Sequence, residues 1–115
     1  MHHMHLTNLS FTLIKENKKT AEIRLNDEKR QTLKVGDIIE FTNLETNENL
    51  QTKVTKLTPA LNFATLYTMT NYAKAGYEPG TTQQEYASSM EHFYSKSDRQ
   101  KYGVIEIALE PMGTC

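Results

Sequence analysis

The sequence is 115 residues long, carries a formal net charge of −1, and is 37% hydrophobic and 23% charged. That length supports one core and therefore a single domain over 1–115, and the composition is that of an ordinary globular chain. The near-neutral total excludes a global field for duplex nucleic acid, no apolar run reaches the ~20 residues of a membrane span or forms a signal-peptide core, and the lone cysteine, Cys115, excludes an intrachain disulfide.

An unpaired thiol accords with a reducing compartment, so the expected location is cytoplasmic. Met1 to Leu6 reads as a short first strand. His3 and His5 share one face of it, but no third ligand stands at a spacing that would complete a metal site, and no cofactor is expected. Thr7 or Asn8 caps a helix running to about Glu16, in which Leu9/Leu13 and Phe11/Ile14 stand at i, i+4 and i, i+3. Asn17 follows where a helix often ends in a left-handed residue.

The stretch Lys18-Lys19-Thr20-Ala21-Glu22-Ile23-Arg24-Leu25-Asn26-Asp27 comes next and organises the rest. Read as a strand, it puts Ala21, Ile23 and Leu25 on one face. Thr20, Glu22, Arg24 and Asn26 fall on the other, with Lys19 just ahead of them. Side chains on one face of a strand stand roughly 7 Å apart, so neighbouring long ones can converge on one small ligand. The same alternation is what any half-solvated sheet produces, and Glu22 and Arg24 then amount to a surface ion pair worth about 0–1 kcal/mol. Charge is concentrated here as well. Residues 15–34 hold seven of the thirteen basic groups and only four acids, so this segment carries +3 and the remainder −4. A local basic patch on an acidic body suits a small anion or a short single strand of nucleic acid, or else forms a solvated face.

Beyond it, Lys29 to Thr32 reads as a connection, and Lys34-Val35-Gly36-Asp37 as a turn into a strand at Ile38-Ile39-Glu40-Phe41. Asn43 to Asn49 is a polar hairpin loop. Gln51 to Leu57 returns as a strand that Thr58-Pro59 stops. A helix over about Leu61 to Tyr72 sets Phe63, Leu66 and Tyr67 on one side, and a Gly/Pro loop follows to Thr81. Thr82-Gln83-Gln84-Glu85 is a capping box, opening a helix whose Tyr86, Met90 and Phe93 stand at i, i+4, i+7 as core residues. Ser97-Asp98-Arg99-Gln100 repeats a capping signal over one turn. Tyr102 to Leu109 closes the chain as a strand with Ile105, Ile107 and Leu109 inward, ended by Pro111. Strands joined by few helices indicate an α+β fold, a small and partly closed barrel decorated by helices.

Several of these segments, in this order, carry a resemblance. Ile14-Lys15, Lys18-Lys19-Thr20, Glu22-Ile23-Arg24-Leu25-Asn26-Asp27, Lys34-Val35-Gly36-Asp37, Tyr94-Ser95 and Lys101-Tyr102-Gly103-Val104-Ile105 together resemble an ASCH domain of the PUA-like superfamily, over about Leu6 to Leu109, in its free-standing bacterial or phage form. The resemblance implies a PUA-like mixed barrel of five to six strands with flanking helices. It places a cleft where the Lys-Thr-x-Glu-x-Arg strand meets the helical side, and implies RNA or a nucleotide as partner. One branch of the family hydrolyses the acetyl amide of 4-acetylcytidine with a lysine, a threonine and a glutamate. Lys19 matches that lysine, but the threonine position is Glu22 here, and the glutamate has no aligned counterpart. Asn17 replaces the glycine that usually precedes the lysines.

Three functions follow in order. The first is a binding module for RNA or a nucleotide. In it Lys19, Arg24 and Arg30 hold a phosphate or a carbonyl edge, Thr20 lines the same row, Glu22 and Asn26 read a donor edge, and Tyr94 or Tyr102 stacks on a base. Both tyrosines serve equally well as core residues with satisfied hydroxyls. The second is a small hydrolase, acting on a modified cytidine or on RNA, with Lys19 as nucleophile or base and Glu22 as proton relay. The third is a protein-interaction adaptor whose cleft is unused.

Overall fold

A computed structural model of the chain describes residues 1–112; Cys115, and with it the thiol considered above, lies outside them. Five strands form one mixed sheet: β1 (His2–Leu6), β2 (Ala21–Leu25), β3 (Ile38–Asn43), β4 (Asn49–Ala60) and β5 (Val104–Pro111), in the spatial order β1-β3-β4-β5-β2. Among the described residues only the β1–β3 pair is parallel. The sheet curls into a half-barrel with β1 and β2 at its two open edges. Five helices flank it: α1 (Asn8–Lys15), α2 (Glu28–Gln31), α3 (Phe63–Met69), α4 (Gln83–Glu91) and α5 (Lys96–Tyr102). No helix among the described residues is long and apolar enough to cross a membrane.

Two cores lie on opposite faces of this sheet. The inner one joins Met4, Leu6, Phe11, Ile14, Ile39, Phe41, Val54, Ile105, Ile107 and Leu109 inside the half-barrel. The outer one packs Ile23 and Val104 against Phe63, Leu66, Tyr86 and Ala87 of α3 and α4. Strands β2 and β5 are therefore covered on both sides, as the register makes explicit. Glu22 pairs with Ile107 and Arg24 with Ile105, so the polar row of β2 shares the inner face; Ile23 pairs with Glu106 on the outer face. The polar side chains of β2 thus point into the half-barrel, toward the gap between its edges.

Side chains bridge that gap. Arg24 Nη2 donates to the His5 carbonyl at 3.1 Å, and Lys29 Nζ donates to the His3 carbonyl at 2.7 Å. Both carbonyls belong to the unpaired side of β1, so two cations cover an edge that would otherwise present bare acceptors.

The chain departs from sequence expectation in several places. Strand β4 runs through Pro59 to Ala60, because beyond Lys53 it pairs with β5 alone and a missing N–H is tolerated on a free edge. The helix expected over 61–72 ends at Met69, and a separate 3-10 turn covers Tyr72–Ala75, capped by Asn71, whose side chain accepts from Ala73 N. The connection at 28–31 is a one-turn helix capped by Asp27. Helix α5 is capped by Ser95, which accepts from Asp98 N, so it starts ahead of the Ser97 signal. Phe93 is not a core residue: α4 ends at Glu91, the helical spacing lapses, and the ring is 71% exposed.

Gly103 joins α5 to β5 at φ +69°, and a Cβ there would lie 2.8 Å from the Ala60 carbonyl oxygen. Neither the backbone angle nor the rigid neighbour can yield cheaply. Gly103→Ala is expected to lower stability by roughly 1–3 kcal/mol in denaturant unfolding; a loss below half a kcal/mol would mean that this junction shifts freely.

Candidate functional site

The turn after α1 sets up the site. Asn17 adopts φ +61°, and Lys18 N and Lys19 N both donate to the Leu13 carbonyl, at 2.8 and 3.0 Å. This left-handed closure ends the helix and turns the Lys19 side chain inward. Thr20 N then donates to the Lys74 carbonyl at 2.8 Å, which pins the 3-10 turn along the free edge of β2. The turn continues into Gly76 and Tyr77, which form one wall of a cleft of about 400 Å³. Gly76 lies against the Lys19 stem, where a Cβ would stand 3.4 Å from Lys19 Cδ.

A charge triad lines this cleft, with Lys19 and Glu22 buried and Arg24 half-buried. Glu22 Oε1 lies 2.7 Å from Lys19 Nζ, and Glu22 Oε2 lies 2.6 Å from Arg24 Nη2. Lys19 is 9% exposed and Glu22 6%, so this is not the solvated pair that alternation alone allows. Lys19 Nζ also donates to Ser10 Oγ at 3.3 Å. Arg24 Nε is buried with no partner among the described residues. Two cations against one carboxylate leave a formal charge of +1, with N–H groups still to be satisfied. Both carboxylate oxygens, by contrast, already hold partners. Such a set is equipped to accept an oxygen-rich group.

The mouth is aromatic and apolar. Tyr94 stacks on Phe63 with ring centroids 6.1 Å apart, and exposed Phe93 and Leu44 flank the opening. Tyr77 joins its hydroxyl to Ser89 Oγ at 2.6 Å. Burial pushes the Tyr77 hydroxyl above the ordinary tyrosine range, an effect reduced by the Ser89 hydrogen bond and reinforced by the nearby Glu22 charge.

Of the residues singled out from sequence, Lys19, Glu22, Arg24 and Tyr94 meet in this cleft. Four others lie outside its lining. Thr20 joins the 3-10 turn to β5 through its backbone, Leu109 N donating to its carbonyl at 2.8 Å. Asn26 spends its backbone on Gly103 O and the Gln31 side chain. Arg30 is held by the Asp27 carboxylate at 3.2 Å, as part of the α2 cap. Tyr102 donates to Glu28 at 3.4 Å beneath Lys101. Ser10, Gly76, Tyr77 and Phe93 belong to the cleft without having been singled out for it. The one available signal was an aromatic, Tyr77, set in a loop between Gly76 and Pro79-Gly80. His5 also lines the cleft, but no group of three His, Cys, Asp or Glu among the described residues is placed to hold a metal ion.

Comparison with known proteins agrees with this architecture. No curated protein matches the chain. Among solved structures, hypothetical protein PH0355 is 33% identical over 96% of this chain and 97% of its own, with a TM-score of 0.81. Protein PF0455 from Pyrococcus furiosus is 31% identical over 98% of both chains, with a TM-score of 0.74. The S128A mutant of ZmASCH from Zymomonas mobilis is 15% identical over 96% of this chain and 71% of its own, with a TM-score of 0.56, a likeness of fold. The family model for the ASCH domain matches residues 4–113, and the half-barrel with its flanking helices is the corresponding PUA-like architecture. The chain belongs to the ASCH domain family, whose members are in general RNA-binding modules.

Proposed function

We propose that this domain binds single-stranded RNA or a nucleotide in the cleft built by Lys19, Glu22 and Arg24. The observation that carries the reading is the buried, net-positive triad set behind an aromatic mouth. A phosphate or base carbonyl seats against Lys19 and Arg24, and a base stacks on Phe93 or Tyr94. Glu22 holds the two cations in place and keeps them from repelling each other when the cleft is empty. Hydrolysis fits the geometry less well. Lys19 lies in an ion pair with Glu22 and also donates to Ser10, and an ammonium so engaged has no lone pair with which to attack.

The test is titration of short single-stranded RNA and free nucleotides against the wild type, Arg24→Ala and Phe93→Ala. Arg24→Ala removes charge-assisted hydrogen bonds and is expected to weaken binding by about 1.5–3 kcal/mol, more than tenfold. Phe93→Ala removes an exposed ring that no core needs, and is expected to cost about 1–3 kcal/mol per stacked base without lowering stability. Equal affinity for all three proteins, or no binding by the wild type, would overturn the proposal.

A further inference from the structure

A second cleft, of about 360 Å³, opens on the outer face of the sheet, on the side of β2 opposite the triad. Its floor follows from strand register. Ala21, Ala108 and Lys56 lie in one row across β2, β5 and β4; Glu106 and Thr58 lie in the next. The two alanines leave a hollow where larger side chains would fill the face. Thr70, at the end of α3, and Lys74 of the 3-10 turn form the opposing wall.

Glu106 sits in this hollow, 6% exposed, and its Oε1 has no hydrogen-bond partner among the described residues. The Tyr86 hydroxyl beneath the same face is likewise buried and unpartnered. Burial pushes the Glu106 carboxyl up, countered in part by the Thr70 hydroxyl and by the Lys74 and Lys56 charges. The Glu106 charge in turn adds to the burial that raises the Tyr86 hydroxyl. Leaving a buried acceptor unmatched is costly, and its position in an open hollow gives it an obvious use.

The charges define what fits. One carboxylate lies deep and two ammonium groups, on exposed side chains, lie nearer solvent, so a simple cation would meet a net positive surround. We propose that this outer cleft binds a small metabolite with N–H donors at one end, placed on Glu106, and a phosphate or carboxylate at the other, placed between Lys56 and Lys74. The volume lies at the low end of the roughly 300–1,000 Å³ of small-molecule sites, in keeping with a ligand of metabolite size.

Two sources share that chemistry: nucleotides with an amino-bearing base, and free amino acids. Amide shifts of the isotope-labelled chain distinguish them, using CMP, GMP, glycine and glutamine as probes, with ribose 5-phosphate, which has no N–H donor, and cytidine, which has no anionic group, as controls. Saturable shifts at Thr58, Thr70 and Ala108, which line the outer cleft and not the triad cleft, are expected with one of the two classes. Affinity should fall at least about tenfold in Glu106→Gln, which keeps the shape but replaces an acceptor oxygen by a donor. The double substitution Lys56→Ala/Lys74→Ala provides a second test on exposed positions that folding does not need, and should weaken every anionic probe. The proposal is overturned if no probe moves these amides, if only amides of the triad cleft respond, or if affinity survives both variants. Because the two clefts report through different amides, failure here leaves the RNA reading intact, and the converse also holds.

Discussion

Glu22→Ala is expected to lower the stability of the folded domain by about 3–5 kcal/mol. Glu22 is the only carboxylate paired with Lys19 and with Arg24 among the described residues, and all three side chains are largely withdrawn from water. Truncating it strands two cations beside each other in a low-dielectric recess. Calorimetry should register a midpoint lowered by roughly 12–20 °C, at about 4 °C per kcal/mol. Removing all three charges, in Lys19→Met/Glu22→Leu/Arg24→Met, should recover much of the loss, because the desolvation of every ion disappears with them. A single variant within 1 kcal/mol of the wild type would show that solvent reaches the triad and that it is the surface pair which strand alternation also permits.

Phe63→Ala is the second large effect, expected at about 3–5 kcal/mol in denaturant unfolding. The ring is fully buried at the start of α3, in the outer core, and one of its faces stacks on Tyr94. Its loss leaves a cavity under α3 and also removes the support of one wall of the triad cleft. RNA affinity should therefore fall along with stability, even where the protein remains folded. Phe63→Leu fills more of the space, so it should restore most of the stability while Tyr94 stays without its stacking partner. If RNA binding in Phe63→Leu matched the wild type, Tyr94 would have no part in recognition.

The alternation in β2 was legible because period-two patterning survives burial. It assigns side chains to faces, which puts Glu22 and Arg24 together, whereas Lys19 has the parity of the opposite face and joins them only through the left-handed turn at Asn17 ahead of the strand. Alternation is silent about depth, however, and about what covers each face. Thr20 and Asn26 stand at the ends of the same row, where backbone bonds to the 3-10 turn and to the α5–β5 junction take the chain away from the cleft. Arg30 was captured by a helix cap four residues long, too short to announce itself by periodicity. Phe93 was misassigned because i, i+7 spacing presumes a helix that persists, and α4 had already ended. Ser10 and Tyr77 reach the cleft only through the closure of the half-barrel, a long-range event that no local pattern encodes. Glu106 falls in the same class. Within its own strand it looks like an ordinary solvent-facing position, and only the helices packed over β5 make it buried.

In the proposed binding mode, the bridge from Arg24 to β1 couples ligand capture to the hold on that strand. One guanidinium serves both the His5 carbonyl and the cleft. A bound phosphate that draws Arg24 inward frees that carbonyl, leaving β1 attached through its β3 ladder and the neighbouring Lys29 contact. Hydrogen exchange in His2–Leu6 should then quicken on ligand addition while exchange in β5 slows, so that occupancy of the domain can be followed from the strand at the rim of the cleft.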